Sequence, residues 1–191
     1  MDNLLIQALS PERLVDFLTF FDRKAFTDNP HWAGCYCYFY MNDHQLHPWE
    51  ARTAQQNRNS VELLISSGEM HGYLAYLDGH PVGWCHAAPR LNIPNLLNNP
   101  ELDTPDPELT GSIVCFIIAP GYRRRGIGRA LLITACQGFL KSGLSYAEGF
   151  PRRNTTDNAE NYHGPLTLYL DEGFTVYRSF DSFQIVRKKL T

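Results

Sequence analysis

The residues Ser112–Leu132, SIVCFIIAPGYRRRGIGRALL, carry the signal that decides the fold. Ser112–Ala119 is an almost unbroken apolar run with β-branched residues, which predicts a strand buried on both faces. Pro120 and Gly121 end this strand, because neither residue extends a central strand without cost. Apolar residues then recur every four positions, which predicts an amphipathic helix. They are Ile127, Leu131, Ala135 and Phe139.

The turn between this strand and this helix has the features of an anion-binding site. The first N–H groups of a helix have no partner within the helix, and the helix dipole adds partial positive charge there. Gly126 and Gly128 lack Cβ, so a phosphate can approach the backbone closely. Arg123, Arg124 and Arg125 add further positive charge. These features predict a diphosphate site; the alternative is a basic surface turn in an ordinary strand–helix unit.

Two common nucleotide-binding motifs do not fit this turn. A Walker loop needs a Lys-Ser or Lys-Thr pair after its glycines, where this chain has Arg129-Ala130. A Rossmann fingerprint needs a third glycine, which is missing. The pattern that remains is R-x-x-G-x-G after a strand, formed by Arg123, Gly126 and Gly128. It resembles the pyrophosphate loop of the GNAT superfamily, the acyl-CoA-dependent N-acetyltransferases.

This resemblance implies a fold and a cofactor site. The fold is α/β (α+β), with a central mixed, mostly antiparallel sheet of six to seven strands flanked by helices. The co-substrate is acetyl-CoA, with no metal. In the family the cofactor strand bulges and its main chain pairs with the pantetheine arm, while the loop holds the pyrophosphate. The matching residues here are Phe116, Ile117 and Ile118 on the strand, and Arg123, Arg124, Arg125, Gly126, Ile127, Gly128 and Arg129 in the loop.

A second family motif lies in Leu168–Phe174, LYLDEGF. GNAT proteins often carry a tyrosine on this helix four residues before a Gly-Phe pair, and Tyr169 has this spacing from Gly173-Phe174. In the family this phenol protonates the leaving CoA thiolate, which makes Tyr169 the predicted general acid. The alternative is that Tyr169 only packs the helix on the sheet.

The general base is less well defined. Some GNAT enzymes place a glutamate at the start of the cofactor strand, but Ser112 occupies that position here. Glu148, on the predicted fifth strand, is the nearest replacement and is our predicted base. His86 and a water chain to solvent are the alternatives.

Composition limits the class of protein. The 191 residues are enough for one domain, residues 1–191, and too few for two comfortable ones. Acidic residues outnumber basic ones and give a net charge of −3, which argues against a nucleic-acid-binding protein. No apolar run is long enough for a transmembrane helix, and the N-terminus lacks the basic region of a signal peptide. Five cysteines without a framework spacing favour reduced thiols and a cytoplasmic location.

The remaining sequence supplies the other elements of the predicted sheet. Asp78-Gly79 predicts a hairpin between Tyr73–Leu77 and Pro81–Ala87. Ser10-Pro11 predicts a helix start, and Trp49–Ser67 predicts a second helix. The other predicted strands are Leu4–Leu9, a segment within His31–Asn42, Ser145–Phe150, Phe174–Tyr177 and Phe183–Val186, followed by a solvated end at Arg187–Lys189.

Two segments keep alternative interpretations. The proline-rich insertion at about 88–111 either borders the acceptor site or is a disordered surface excursion. Cys35, Cys37, His44 and His47 have ligand types that zinc prefers, but a C-x-C pair in a strand forms no compact knuckle. We therefore expect half-buried core residues there, with aromatic side chains lining an acceptor cleft.

Three functions fit these observations. The first is an acetyl-CoA-dependent N-acetyltransferase that modifies the primary amine of a small molecule by direct attack in a ternary complex. The second acetylates a peptide or protein amine, and the third is a non-catalytic acyl-CoA-binding module. Retention of both motifs favours catalysis. GNAT proteins are often homodimers, but no feature of this sequence decides the oligomeric state.

Overall fold

In a computed structural model, residues 3–155 and 159–191 are described, and they contain one seven-stranded sheet. The strand order is β1-β2-β3-β4-β5-β7-β6, and all neighbours are antiparallel except β4 and β5. This confirms the predicted mixed, mostly antiparallel α/β sheet. The strands are β1 (Leu4–Ala8), β2 (Tyr73–Leu77), β3 (His80–Pro89), β4 (Thr110–Ile118), β5 (Tyr146–Gly149), β6 (Thr175–Ser179) and β7 (Gln184–Lys189).

Helices cover both faces of the sheet. One core contains apolar residues of α4 and α5 together with one face of the central strands, and the other core contains residues of α1 and α2 with the opposite face. None of the helices in the described part is long and apolar enough to span a membrane. The α-helices are α1 (Leu14–Arg23), α2 (Ala54–Ser66), α3 (Pro94–Leu97), α4 (Ile127–Lys141) and α5 (Leu166–Asp171).

The predicted strand within His31–Asn42 was wrong. This segment forms two short 3-10 helices, Pro30–Cys35 and Phe39–Met41. Between them Tyr36 and Cys37 have φ angles of 47° and 55°, in the left-handed region that an extended strand cannot contain. Of the aromatic residues that suggested a strand, Tyr36 and Tyr38 pack in the core with α1 and α2, whereas Phe39 and Tyr40 pack with α3.

The insertion at about 88–111 is ordered, and none of its residues is among the described residues that line the main cleft. It forms α3 and short 3-10 turns, and buries Ile93, Leu96 and Leu102 against the sheet. The disordered alternative is wrong, because the prolines start short helical turns whose apolar residues pack on the sheet. That the insertion borders the acceptor site stays a prediction from sequence. The polar loop predicted at 152–161 includes residues 156–158, which lie outside the described part.

The end of the chain also differs from the prediction. Arg187–Lys189 belong to β7, and the Arg187 side chain is only 10% exposed. It pairs with Asp106 and with Glu148, so this basic run is part of the sheet instead of a solvated tail.

A cofactor cleft on the β4 edge

A large cavity lies where β4 and β5 separate. Their parallel pairing ends at Ile113 and Gly149, so the last residues of β4 have no strand on that side. A cavity of about 1080 Å³ opens there. Its described walls come from Cys115–Ile118, the turn after β4, the segment between Ala25 and Asn57, and residues 159–168.

The turn after β4 places a helix N-terminus at one end of this cavity. Gly126, at the N-cap of α4, has a φ of 73°, where a residue with Cβ is strained. The first helical hydrogen bond runs from the Ala130 N–H to the Gly126 carbonyl, so the N–H groups of residues 127–129 precede it. A Cβ at Gly128 would meet only Leu168 Cδ2, at 3.8 Å, so the space in front of this backbone is open. This geometry fits a diphosphate.

The arginines of the loop differ in their roles. Arg124 lines the cavity and is exposed, so its charge is available to an anion. Arg123 also lines the cavity, but its Nε donates to the Ile118 carbonyl at 3.0 Å and its guanidinium pairs with Asp28. Arg123 therefore fastens the loop to the segment after α1, and only part of its charge is free.

The other predicted loop residues do not line the cavity. The Arg125 guanidinium lies 5.6 Å from the centre of the Tyr122 ring, and Arg129 pairs with Glu172. Ile127 is buried in the core. These observations concern the side chains. That the main chain at these positions binds the cofactor stays a prediction.

The bulge in β4 lies upstream of the predicted position. His86 pairs with Cys115 and Ala87 pairs with Ile113, so Val114 is the extra residue, and the prediction of a bulge at Phe116–Ile118 was wrong. The three predicted residues do line the cavity. The Phe116 N–H, however, donates to the Tyr162 carbonyl at 2.5 Å. Pairing with a pantetheine arm stays a prediction that requires this N–H to change partner.

Tyr169 lies behind the cavity wall. Its side chain is fully buried, and its hydroxyl donates to the His163 carbonyl at 2.7 Å. A Cβ at Gly149 would lie 2.3 Å from the Tyr169 ring, so the ring fits only because residue 149 has no side chain. Burial raises the pKa of Tyr169 well above its usual value. The phenol stays protonated, and its role as general acid stays a prediction.

Glu148 belongs to a buried ion network outside the cavity. Its carboxylate is 3.4 Å from Arg90 Nη1 and 3.2 Å from Arg187 Nη1, and it accepts from Thr104 Oγ1 at 2.9 Å. Arg90 and Glu148 are only 2% and 1% exposed. Both carboxylate oxygens are occupied, so these contacts favour a structural role. The general-base role stays a prediction from sequence.

A thiol cluster that the sequence did not reveal lies beside Cys115. Cys37 lines the cavity, and its Sγ is 3.5 Å from Nδ1 of His86, which faces Cys115 across the sheet. Burial opposes the thiolate at Cys37, but hydrogen bonds with Cys115 and His86 outweigh it and lower the pKa of Cys37 below its usual value. The sequence gives no sign of this grouping, because its members lie in three distant segments.

The zinc alternative finds no support in this cluster. The Nε2 of His44 lies 2.8 Å from the Phe39 carbonyl oxygen, and the His44 ring stacks on Trp49. Among residues 3–155 and 159–191, no three His, Cys, Asp or Glu side chains are grouped as metal ligands.

Aromatic side chains form part of the cavity wall. That this part is the acceptor cleft stays a prediction from sequence. Trp32 and Tyr162 approach each other from different segments, with ring centres 5.3 Å apart. Phe39 packs edge-on against Trp49 at 5.2 Å. Arg52 is the basic side chain beside them.

Comparisons with known proteins agree with this geometry. The sequence matches the profile of the Acetyltransferase (GNAT) family over residues 32–161. No curated protein gives a significant match.

Solved structures of similar fold cover nearly the whole chain. The PaiA N-acetyltransferase of Thermoplasma acidophilum, in complex with coenzyme A, is 18% identical with a TM-score of 0.57, covering 97% of this chain and 98% of that one. YncA, a putative acetyltransferase of Salmonella typhimurium with acetyl-CoA, is 14% identical with a TM-score of 0.56, covering 99% and 95%. Ard1 of Thermoplasma volcanium is 13% identical with a TM-score of 0.53, covering 99% of each chain.

At these identities the solved structures establish the fold, and the family profile, which spans 130 of the 191 residues, establishes the membership. The chain belongs to the Acetyltransferase (GNAT) family and is an acyltransferase.

Proposed function

We propose that this chain transfers an acetyl group from acetyl-CoA to the primary amine of a small molecule, by direct attack within a ternary complex. The observation that carries the proposal is that one cavity is lined both by residues of the glycine–arginine loop and by aromatic side chains. Its volume of about 1080 Å³ is at the upper end of the range for ligand sites, which suits two substrates held together. Such positioning can contribute about 7–11 kcal/mol to catalysis.

The cofactor half fits acetyl-CoA. The open backbone at Gly128, the N-terminus of α4 and the free charge of Arg124 suit the pyrophosphate. The unpaired edge of β4 suits an extended arm, once the Phe116 N–H releases the Tyr162 carbonyl. Acetyl-CoA, when bound, supplies the activated acetyl group as a thioester.

The acceptor half supports a small molecule over a peptide. Trp32 and Tyr162 meet from two segments and narrow the cavity, whereas a peptide needs an open groove.

The five free cysteines support a reducing, cytoplasmic location.

Tyr169 is our proposed general acid. Its raised pKa keeps the proton on the phenol, which can therefore donate a hydrogen bond to the thiolate and stabilise its negative charge as the C–S bond breaks. The neighbouring Gly164, Pro165 and Leu168 line the cavity, so the hydroxyl has to exchange the His163 carbonyl for the thiolate across this wall.

The test is release of CoA thiol from acetyl-CoA by the purified chain, with a panel of small primary amines and with amino-terminal peptides. We expect turnover with small amines. Turnover with peptides alone would support the protein-modifying alternative, and tight acetyl-CoA binding without turnover on any amine would support the non-catalytic module.

A further inference from the structure

Arg52 is a cleft-lining cation that no carboxylate neutralises. It lines the cavity at the aromatic end and is half-buried. Within the described residues, no carboxylate lies within ion-pair distance of its guanidinium. Arg58, six residues further on, is instead paired with both Asp22 and Glu62.

Neutral groups hold the Arg52 guanidinium in place. Its Nε donates to Asn57 Oδ1 at 2.7 Å, and its Nη2 donates to Ser60 Oγ at 2.8 Å. Asn57 is buried and donates in turn to the Gly34 carbonyl at 2.8 Å. The guanidinium carbon lies 4.5 Å from the centre of the Tyr38 ring. The guanidinium is therefore fixed along the edge that carries Nε and Nη2 and across the face that contacts the Tyr38 ring.

The remaining nitrogen of this guanidinium, Nη1, is the one that can bind a ligand. Nη1 makes no hydrogen bond within the described part of the chain, while Nε and Nη2 are both engaged. A fixed guanidinium loses little conformational freedom when it binds an anion, and charge-assisted hydrogen bonds are about twice as strong as neutral ones. An anion is the ligand that this arrangement suits best.

We propose that Arg52 binds a carboxylate of the acceptor, so that the acceptor is an amino acid or a related amine that carries a carboxylate. This inference rests on the proposed function. The Phe39–Trp49 pair beside Arg52 offers an apolar surface for the rest of the acceptor. The proposed function assigns the phosphates of acetyl-CoA to Arg124 and the N-terminus of α4, which leaves Arg52 for the acceptor.

The test compares matched acceptors and matched arginine variants. The probes are phenylalanine, methionine and glutamate, each beside the amine that lacks its α-carboxylate. The variants are Arg52→Gln, Arg52→Lys and the control Arg58→Gln, whose parent side chain lies on α2 with its charge already paired. Thermal unfolding of each variant checks that it is folded.

We expect at least one amino acid to be acetylated with a lower KM than its carboxylate-free partner. Arg52→Gln should raise that KM by about ten- to a hundred-fold, the loss of one charged hydrogen-bonding group. It should leave the KM for acetyl-CoA and for the carboxylate-free amine unchanged. Arg52→Lys should restore part of the effect, and Arg58→Gln should have none.

Three results would overturn the inference while the proposed function stands. They are equal KM values for the paired amines, an unchanged amino acid KM in Arg52→Gln, and a raised KM for acetyl-CoA in Arg52→Gln, which would place a CoA phosphate on Arg52. Failure of every amine to release CoA from bound acetyl-CoA would instead refute the proposed function, and the inference with it.

Discussion

Replacing Glu148 by Gln separates its structural role from the predicted catalytic one. The substitution keeps the side-chain volume but removes the negative charge that Arg90 and Arg187 share. Arg187 keeps Asp106 as a partner, whereas Arg90, only 2% exposed, keeps a hydrogen bond from its Nη2 to the Leu102 carbonyl. Removing one partner of a buried pair costs about 3–5 kcal/mol. Because Arg187 retains its second carboxylate, we expect the lower end, about 3 kcal/mol.

The assay is urea and thermal unfolding of Glu148→Gln beside the wild type. For a chain of this length, about 3 kcal/mol corresponds to a loss of about 6–12 °C in Tm. The control is Glu62→Gln, which breaks an exposed pair with Arg58 and should cost less than about 1 kcal/mol. The structural role would be refuted if Glu148→Gln were as stable as the wild type but had a lower turnover number and had lost the acidic limb of its pH–rate profile. That result would support Glu148 as the general base.

Three further perturbations test the site and its support. Tyr169→Phe should lower kcat by about 100-fold or more with little change in the KM for acetyl-CoA, and near wild-type turnover would rule out the general acid. Burial lowers the pKa of His163 to about 3 in the folded chain, whereas an unfolded histidine has a pKa of about 6.5. Protons therefore bind the unfolded chain first, and stability is lost as the pH falls below 6.5. Between pH 6.5 and 5 the free energy of unfolding should fall by about 2 kcal/mol; an equal fall in His163→Gln, measured in urea at each pH, would contradict this. Gly149→Ala places a Cβ 2.3 Å from the Tyr169 ring and should cost about 1–3 kcal/mol in urea unfolding; wild-type stability would show that the ring can move freely.

The cofactor half of the fold was predictable because its signals are local. The apolar run before Pro120 and the four-residue apolar repeat after Gly126 require only neighbouring residues to form β4 and α4. The Asp78-Gly79 hairpin is equally local, and the structure has its strands at the predicted place. Strand order and the helix on each face then follow from the family's topology.

The site was less predictable because its side chains are placed by distant partners. Arg123 pairs with Asp28, and Glu148 pairs with Arg90 and Arg187, which no local pattern reveals. The aromatic segment around Tyr36 looked like a strand because aromatic residues favour strands, but two left-handed residues break it. The aromatic segment lies in the N-terminal half, where the resemblance covered only the order of the elements.

The central claim is that the turn after β4 binds acetyl-CoA, and thermal unfolding with and without this ligand tests it most directly. At a hundred times its Kd, acetyl-CoA should stabilise the chain by about 2.7 kcal/mol, or about 5–11 °C in Tm. Gly128→Glu fills the open space before the helix with a negative side chain and should abolish this shift. Arg125→Ala, whose parent side chain lies outside the cavity, should keep most of it. An unchanged Tm in the wild type, or an equal shift in Gly128→Glu, would contradict the account.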